Sequence, residues 1–390
     1  MDDRQRQEIE AAKEKFGALI ASEFERIEQM KQDREIKDFS KLSQIKIGIL
    51  PGDGIGPLIM EQALRVLKAL VPEELRSGKI LMKEIPGMTI ENRAAKLQSL
   101  PDDVFQEIKK YDVLLKGPMV TPRAGEKWPN LVSANSLLRR GLSLYAAVRP
   151  IRIPEKGIDW TFFRENIEGE YIWGNKGIQV NDSLAVDFKV QTHQGTERIA
   201  RAAFEFARKN GKKNVTIVTK ANIVKLADGN FIKGVREVGK DYPEIEIQER
   251  LVDAMAAKMM EPEFNKGIEV IVLPNLYGDI ITDVAAEQQG GLGTASSSNI
   301  GNQYALFEAI HGTAPFLIEH HRGEYADPCS LIRAVGMMLQ HIGYGDRKAK
   351  LDRALDICTV TERRLVVTTD RDGATSKEFT DYLLETLAKL

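Results

Sequence analysis

The stretch Ile45–Leu70, IKIGILPGDGIGPLIMEQALRVLKAL, runs from a β-rich segment through three glycines into helical spacing. Gly52, Gly54 and Gly56 make G-x-G-x-G, and Pro57 stands where the third glycine of a dinucleotide fingerprint belongs. The spacing is wrong for that fingerprint, so the turn reads as a strand-to-helix connection, with a helix from about Pro57 to Leu70. Similar apolar strands return as DVLLKG from Asp112, NVTIVT from Asn214 and EVIVLP from Glu269, separated by helical patterns. Such alternation predicts an α/β architecture, doubly wound around largely parallel strands.

The 390 residues exceed a single small core, and two domains are expected. A net charge of -2 gives no global reason to expect nucleic acid as a partner. Cys329 and Cys358 are far apart and not in a metal-type spacing, so neither a disulfide framework nor a zinc site is suggested. No apolar run approaches a membrane span and the first residues carry no signal-peptide pattern, so a cytoplasmic, reducing setting is the expectation. Near the start, Ile9, Ala12, Phe16, Leu19, Ile20, Phe24, Ile27 and Met30 recur at three- and four-residue steps. They predict an amphipathic helix whose stripe lies on the body of the protein or on a partner subunit. Between Ala147 and Val190 an aromatic, β-branched texture predicts a β-rich insertion, an arm suited to pairing with another subunit.

The residues that carry chemistry are spread along the chain. In VIVLPNLYGDIITDVAAEQQGGLG, Val270–Gly293, the acids Asp279 and Asp283 lie four apart just after a buried strand. A helix puts them on one face, where they are either a solvated first turn or oxygen ligands of a hard cation such as magnesium or manganese. In SANSLLRRGLSLYAAVRPI, residues Ser133, Asn135, Arg139 and Arg149 can converge if a helix near Ser133 leads into a strand near Ala146. With Arg164 of FRENIEGEY they supply guanidinium forks for a substrate with several carboxylates, though each arginine alone is an ordinary surface charge. Lys220 ends an apolar strand, where it is an ordinary strand terminus or, placed near a metal and other cations, a proton acceptor. Tyr171 is either packing in the β arm or a general acid. The small residues of His311, Gly312, Thr313, Ala314 and Pro315 allow close approach to a phosphate or an adenosine, or form a tight loop with a satisfied histidine.

GDGIGP, RENIEGEY, NLYGDIITD, GGLG and HGTAP in this order resemble the isocitrate and isopropylmalate dehydrogenase family of metal-dependent β-decarboxylating dehydrogenases, from about Ile45 to the C-terminus. The resemblance implies that family's fold: a large doubly wound domain of 41–144 and 290–390, and a smaller α/β domain of 145–289. A clasp arm of about 160–190 belongs to the smaller domain, and 1–40 form a helical extension. Ser133, Asn135 and Arg139 match the S-x-N-x-x-x-R pattern with which isocitrate dehydrogenases face the substrate's γ-carboxylate. Homoisocitrate dehydrogenase is the nearer rival, and a non-catalytic regulatory subunit the rival of another class. The resemblance further implies that Arg139, Arg149 and Arg164 grip the carboxylates with Lys116 nearby, and that Asp253 completes a magnesium or manganese site with Asp279 and Asp283. One site is shared between two subunits, Lys220 and Asp253 coming from the partner, so a homodimer follows. Lys220 serves as proton acceptor and Tyr171 as proton donor. Thr121 and Asn222 place the nicotinamide, while His311 to Ala314 and Asp327 hold the adenosine.

Cofactor choice is where the sequence departs from the family. After HGTAP stand Phe316 and Leu317, where NADP-dependent relatives carry a lysine and tyrosine and NAD-dependent relatives usually begin with an aspartate. His320, His321 and Arg322 are the residues able to meet a 2'-phosphate. TTDRDGAT near the C-terminus is closer to the NAD-type pattern, so NAD is favoured over NADP.

Overall fold

The computed structural model describes residues 1–33, 35–123, 125–174, 176–291 and 294–390; Leu292 and Gly293 of the glycine cluster lie outside them. The chain divides into two compact units, one of Met1–Glu35, Tyr145–Ala147 and Pro154–Val284, the other of Ile36–Leu144, Val148–Ile153 and Ala285–Leu390. In chain order the strands are β1 (Ile45–Leu50), β2 (Ile80–Glu84), β3 (Val113–Lys116), β4 (Ala146–Ile153), β5 (Ile158–Glu165), β6 (Ile178–Asn181), β7 (Leu184–Val186), β8 (Asn214–Thr219), β9 (Glu246–Leu251), β10 (Val270–Leu273), β11 (Ser296–Ile300) and β12 (Ala305–Ala309).

In the unit that contains the C-terminus the strand order is β2-β1-β3-β12-β11. β1 is parallel to β2 and β3, β12 is parallel to β3, and β11 is antiparallel to β12. The helix after β1 spans Gly56–Leu70 with Pro57 in its first turn, where a missing N–H costs nothing. It buries Ile59, Met60, Ala63, Val66, Leu67 and Leu70 at the spacing of one helical face. They join a core with residues of the helices Cys329–His341 and Ser376–Lys389. Each large aliphatic side chain buried this way contributes about 1.5–3 kcal/mol.

The other unit is built on β5-β10-β8-β9, all parallel. β8 and β10 are buried along their whole length, as continuous apolar runs require when both faces of a parallel sheet are covered. Helix His193–Lys209, N-capped by Thr192, packs on β5, β10 and β8. Of the aromatic stretch from 160 to 190, the first part is β5 of this sheet, Gly169 bridges Val190 antiparallel, and Ile178–Val186 forms a separate antiparallel pair. Leu184 and Val186 of that pair are exposed.

Helix Asp3–Gln32 opens with a capping box between Asp2 and Gln5 and lies in this second unit. Its apolar stripe is only partly covered: Leu19 and Met30 are buried, while Phe16, Ile20 and Phe24 are exposed. The inward face also carries charge, at Glu23 and Arg26. Among the described residues, no helix is long and apolar enough to cross a membrane.

Candidate functional site

β5 delivers Arg164 to its C-terminal end almost fully buried, at 1% exposure. Its Nε and Nη2 donate to Asn275 Oδ1 at 2.9 and 2.7 Å, and its Nη1 is ion-paired with Asp279. The helix Asn275–Gln289 approaches this guanidinium because residue 278 is glycine: a Cβ there would lie 2.5 Å from Arg164 Cγ. The Tyr171 hydroxyl donates to Asp279 Oδ2 at 2.6 Å, and the Arg164 guanidinium sits 5.2 Å from the Tyr171 ring centre. Asp279 therefore joins an arginine and a tyrosine, and the exposed Asp283 follows one turn later on the same helix. These side chains offer only oxygen to a cation, which suits magnesium or manganese rather than a softer metal.

Lys220 and Asp253 form a separate pair in this unit. Lys220, just beyond β8, places Nζ 2.8 Å from Asp253 Oδ2, and that hydrogen bond lowers the Asp253 carboxyl below its ordinary value. The Lys220 amide donates to Asp228 Oδ2 at 2.8 Å, and the buried Asp228 is also ion-paired with Lys189 at 2.6 Å. Asn222 is exposed in the turn that follows. Among the described residues, no three histidine, cysteine, aspartate or glutamate side chains gather as one metal group within the chain.

In the C-terminal unit, Ser133 caps helix Ala134–Gly141, its Oγ accepting from the Ser136 amide at 3.3 Å. The buried side-chain oxygen of Asn135 has no hydrogen-bond partner among the described residues, an orphan acceptor beside the arginine turn. Arg139 Nη2 lies 3.4 Å from Glu308, and Lys116 Nζ 2.8 Å from the other oxygen of the same carboxylate. Asn299 donates to Glu308 at 2.7 Å. Burial pushes the Glu308 carboxyl up, but Lys116 and Arg139 overcome this and bring it down to about 2. Lys116 is thus bound to an internal acid, and Arg149 lies buried on β4.

The GDGIGP and HGTAP motifs meet in this unit. Gly54 has φ +60, and a Cβ on it would sit 2.2 Å from the Thr313 carbonyl oxygen, which accepts from the Ile55 amide. Asp53 accepts from the Ile90 and Val120 amides and from Arg93, fixing the turn from within. His311 holds Nδ1 3.0 Å from the Gly312 carbonyl, while its buried Nε2 is without a partner among the described residues. Burial lowers the His311 pKa and raises that of Asp327, which accepts from the Cys329 amide. An orphan ring nitrogen beside small residues fits a nucleotide, and Thr121 is exposed in the same unit. Arg322 is ion-paired with Asp370 at 2.6 Å and donates to the Thr369 carbonyl, while the Phe316 ring lies tilted against His320 with centres 4.1 Å apart.

Sequence reasoning missed Asn275, Glu308 and Asp228, which hold Arg164, the Lys116–Arg139 pair and Lys220. Glu308 had a signal, an acid inside the apolar run ALFEA. Asn275 had none, because its partner Arg164 lies 111 positions away in the chain, whereas Asp228 accepts from the Lys220 amide only 8 positions earlier, in the same stretch KANIVKLAD.

A family model described as isocitrate/isopropylmalate dehydrogenase matches residues 46–384. The chain is 35% identical to NAD isocitrate dehydrogenase subunit 2, mitochondrial, of Schizosaccharomyces pombe over 351 residues, covering 87% of each. It is 37% identical to an NADP isocitrate dehydrogenase of Thermus thermophilus, covering 88% of this chain and 68% of that one. Similar identity, 37%, links it to a mitochondrial regulatory subunit of NAD isocitrate dehydrogenase from Dictyostelium discoideum, over 88% of this chain and 92% of that one. The crystal structure of isocitrate dehydrogenase from Methylococcus capsulatus superimposes with a TM-score of 0.76 at 33% identity, covering 88% of this chain and 99% of that one.

Proposed function

Because the chain belongs to the isocitrate/isopropylmalate dehydrogenase family, we propose that it oxidises isocitrate and removes one carboxylate, giving 2-oxoglutarate, carbon dioxide and a reduced nicotinamide cofactor. The observation that carries this is the Arg164–Asp279–Tyr171 cluster, a fixed guanidinium, a cation ligand and a proton donor within hydrogen-bonding reach. Asp279, Asp283 and a second copy's Asp253 would hold magnesium or manganese, which when bound would supply the Lewis acidity that lowers the hydroxyl pKa and steadies negative charge on oxygen.

The chain's own residues do the rest. Ser133, Asn135, Arg139, Arg149 and Arg164 bind and orient the carboxylates, with bidentate geometry favouring arginine. Glu308, held by Lys116, fixes the Arg139 guanidinium. Lys220 would accept the 2-hydroxyl proton; a nicotinamide cofactor bound beside C2 would supply the hydride acceptor, leaving a β-keto acid that loses its carboxylate as carbon dioxide. Tyr171 returns a proton to the carbon left behind. Thr121 and Asn222 position the nicotinamide, and His311 to Ala314 with Asp327 the adenosine. Lys220 and Asp253 reach the other residues from a second copy, so the working form is a homodimer, in a cytoplasmic setting.

NAD is the favoured cofactor. Phe316 and Leu317 bring no cation to a 2'-phosphate, and Arg322 is neutralised by Asp370. Steady-state kinetics with both cofactors, on isocitrate and homoisocitrate, is the test: kcat/KM should be highest with NAD and isocitrate. A value about tenfold higher with NADP, a difference of about 1.4 kcal/mol, overturns the cofactor assignment, and the same excess for homoisocitrate overturns the substrate. The regulatory-subunit reading, which the Dictyostelium relative brings in, predicts no turnover by the chain alone.

A further inference from the structure

The N-terminal helix Asp3–Gln32 precedes the residues matched by the family model, yet it reaches a buried acid of the RENIEGEY motif. Arg26 Nη2 lies 2.7 Å from Glu168 Oε1, and the Glu168 side chain is fully buried. The same carboxylate accepts from the Thr192 amide at 2.9 Å, the Thr192 hydroxyl at 2.5 Å and Gln191 at 3.2 Å. Glu165, also fully buried, turns its carboxylate onto the amides of Ile167 and Glu168; burial and the neighbouring Glu168 carboxylate push its pKa up to about 8, against the smaller opposing pull of Arg198. Two buried acids therefore share one short loop. Glu23 steadies Arg26 at 2.6 Å and accepts from the Trp173 indole at 3.0 Å, locking the helix to the loop.

From Glu168 the contacts run on to the candidate active site. Its backbone carbonyl accepts from Asn275 Nδ2 at 2.9 Å, and Asn275 Oδ1 takes both hydrogen bonds from Arg164, which pairs with Asp279. We propose that Arg26 is a positioning residue for this active site, acting through Glu168 and Asn275 to set the placement of Arg164 and Asp279. This rests on the functional reading above. Removing the guanidinium leaves Glu168 buried without its ion-pair partner, so it must move toward water or take up a proton, and either change displaces the loop that holds Asn275.

The test is Arg26→Met beside Arg26→Lys, with Arg4→Ala, an exposed ion pair on the same helix, as control. Arg26→Met should lower kcat/KM for isocitrate by about tenfold or more, the usual cost of losing a group that orients ligands. The KM for the nicotinamide cofactor should stay within about twofold, Arg26→Lys should recover most of the loss, and Arg4→Ala should match wild type. Hydrogen exchange, which needs no substrate, should be faster in Arg26→Met at the amides of 168–171 and 275–279. A folded Arg26→Met with wild-type kcat/KM and unchanged exchange overturns the proposal, as does a loss that falls equally on both substrates and is not rescued by lysine. If Arg26→Met does not fold, Arg26→Gln takes its place: a kcat/KM for isocitrate lowered by about tenfold with an unchanged cofactor KM supports positioning, and wild-type values overturn it. Failure of the wild-type chain to oxidise isocitrate overturns the functional reading instead, and the exchange comparison then decides by itself whether Arg26 positions the loop.

Discussion

Glu308 sits among the buried Leu306, Phe307 and Ala309, where a lone carboxylate would be expelled or protonated. It stays ionised because Lys116 and Arg139 face it, which lowers its pKa from the ordinary 4.5 to about 2. The folded value lies below the unfolded one, so its contribution to stability is complete above about pH 4.5 and is lost as the pH falls toward 2. Glu308→Gln should remove about 3 kcal/mol near neutral pH, since it leaves the buried Lys116 and the half-buried Arg139 facing a neutral amide. Denaturant unfolding across pH should show the variant losing less stability than wild type between pH 4.5 and 2. Equal slopes would show that the carboxylate is not held ionised. The arginines, the acids, Lys220 and Tyr171 could be picked out as chemical types, but the partners that hold them could not. A hydrogen bond from Arg164 to Asn275 spans 111 positions and leaves no mark in local pattern.

At the scale of elements, most of the architecture was legible. The runs IKIGIL, NVTIVT and VIVL form parallel strands because continuous β-branched sequence suits a sheet covered on both faces, and Pro57 starts its helix in the first turn. The stretch from 160 to 190 was harder: its aromatic texture suggested one arm, but β5 is drawn into the parallel sheet beside β10, where Trp160 and Phe162 are buried. Local composition does not separate a core strand from an arm strand when both are rich in aromatics. In the N-terminal helix the expected apolar face holds buried charge at Glu23, because Arg26 compensates it. The junction of β10 with helix Asn275–Gln289 tests how an element serves the site. Gly278→Ala would press a methyl on Arg164 and Leu273 side chains, an overpacking cost of about 1–3 kcal/mol. Melting temperature should fall by several degrees and isocitrate KM should rise; an unchanged KM would show that the helix has room to shift.

For the whole molecule, the two compact units each hold part of the proposed machinery, and Lys220 with Asp253 is paired apart from Asp279 and Asp283. If two copies share each site, a chain carrying Lys220→Met and a chain carrying Asp283→Asn, each inactive alone, complement one another when mixed through unfolding and refolding. Random pairing restores about a quarter of wild-type activity, since half the dimers are mixed and each has one intact site. No recovery, with mixed dimers present, would place each site within a single chain. The proposed activity needs Asp279 and Asp283 to hold a divalent cation while isocitrate is oxidatively decarboxylated. It is tested most directly by following carbon dioxide release and cofactor reduction from isocitrate, with and without magnesium, in wild type and Asp283→Asn. Equal amounts of both products that depend on magnesium in wild type, and a folded dimeric Asp283→Asn that is nearly inactive, are predicted. Turnover unaffected by chelation, or retained with unchanged magnesium dependence in Asp283→Asn, would contradict it.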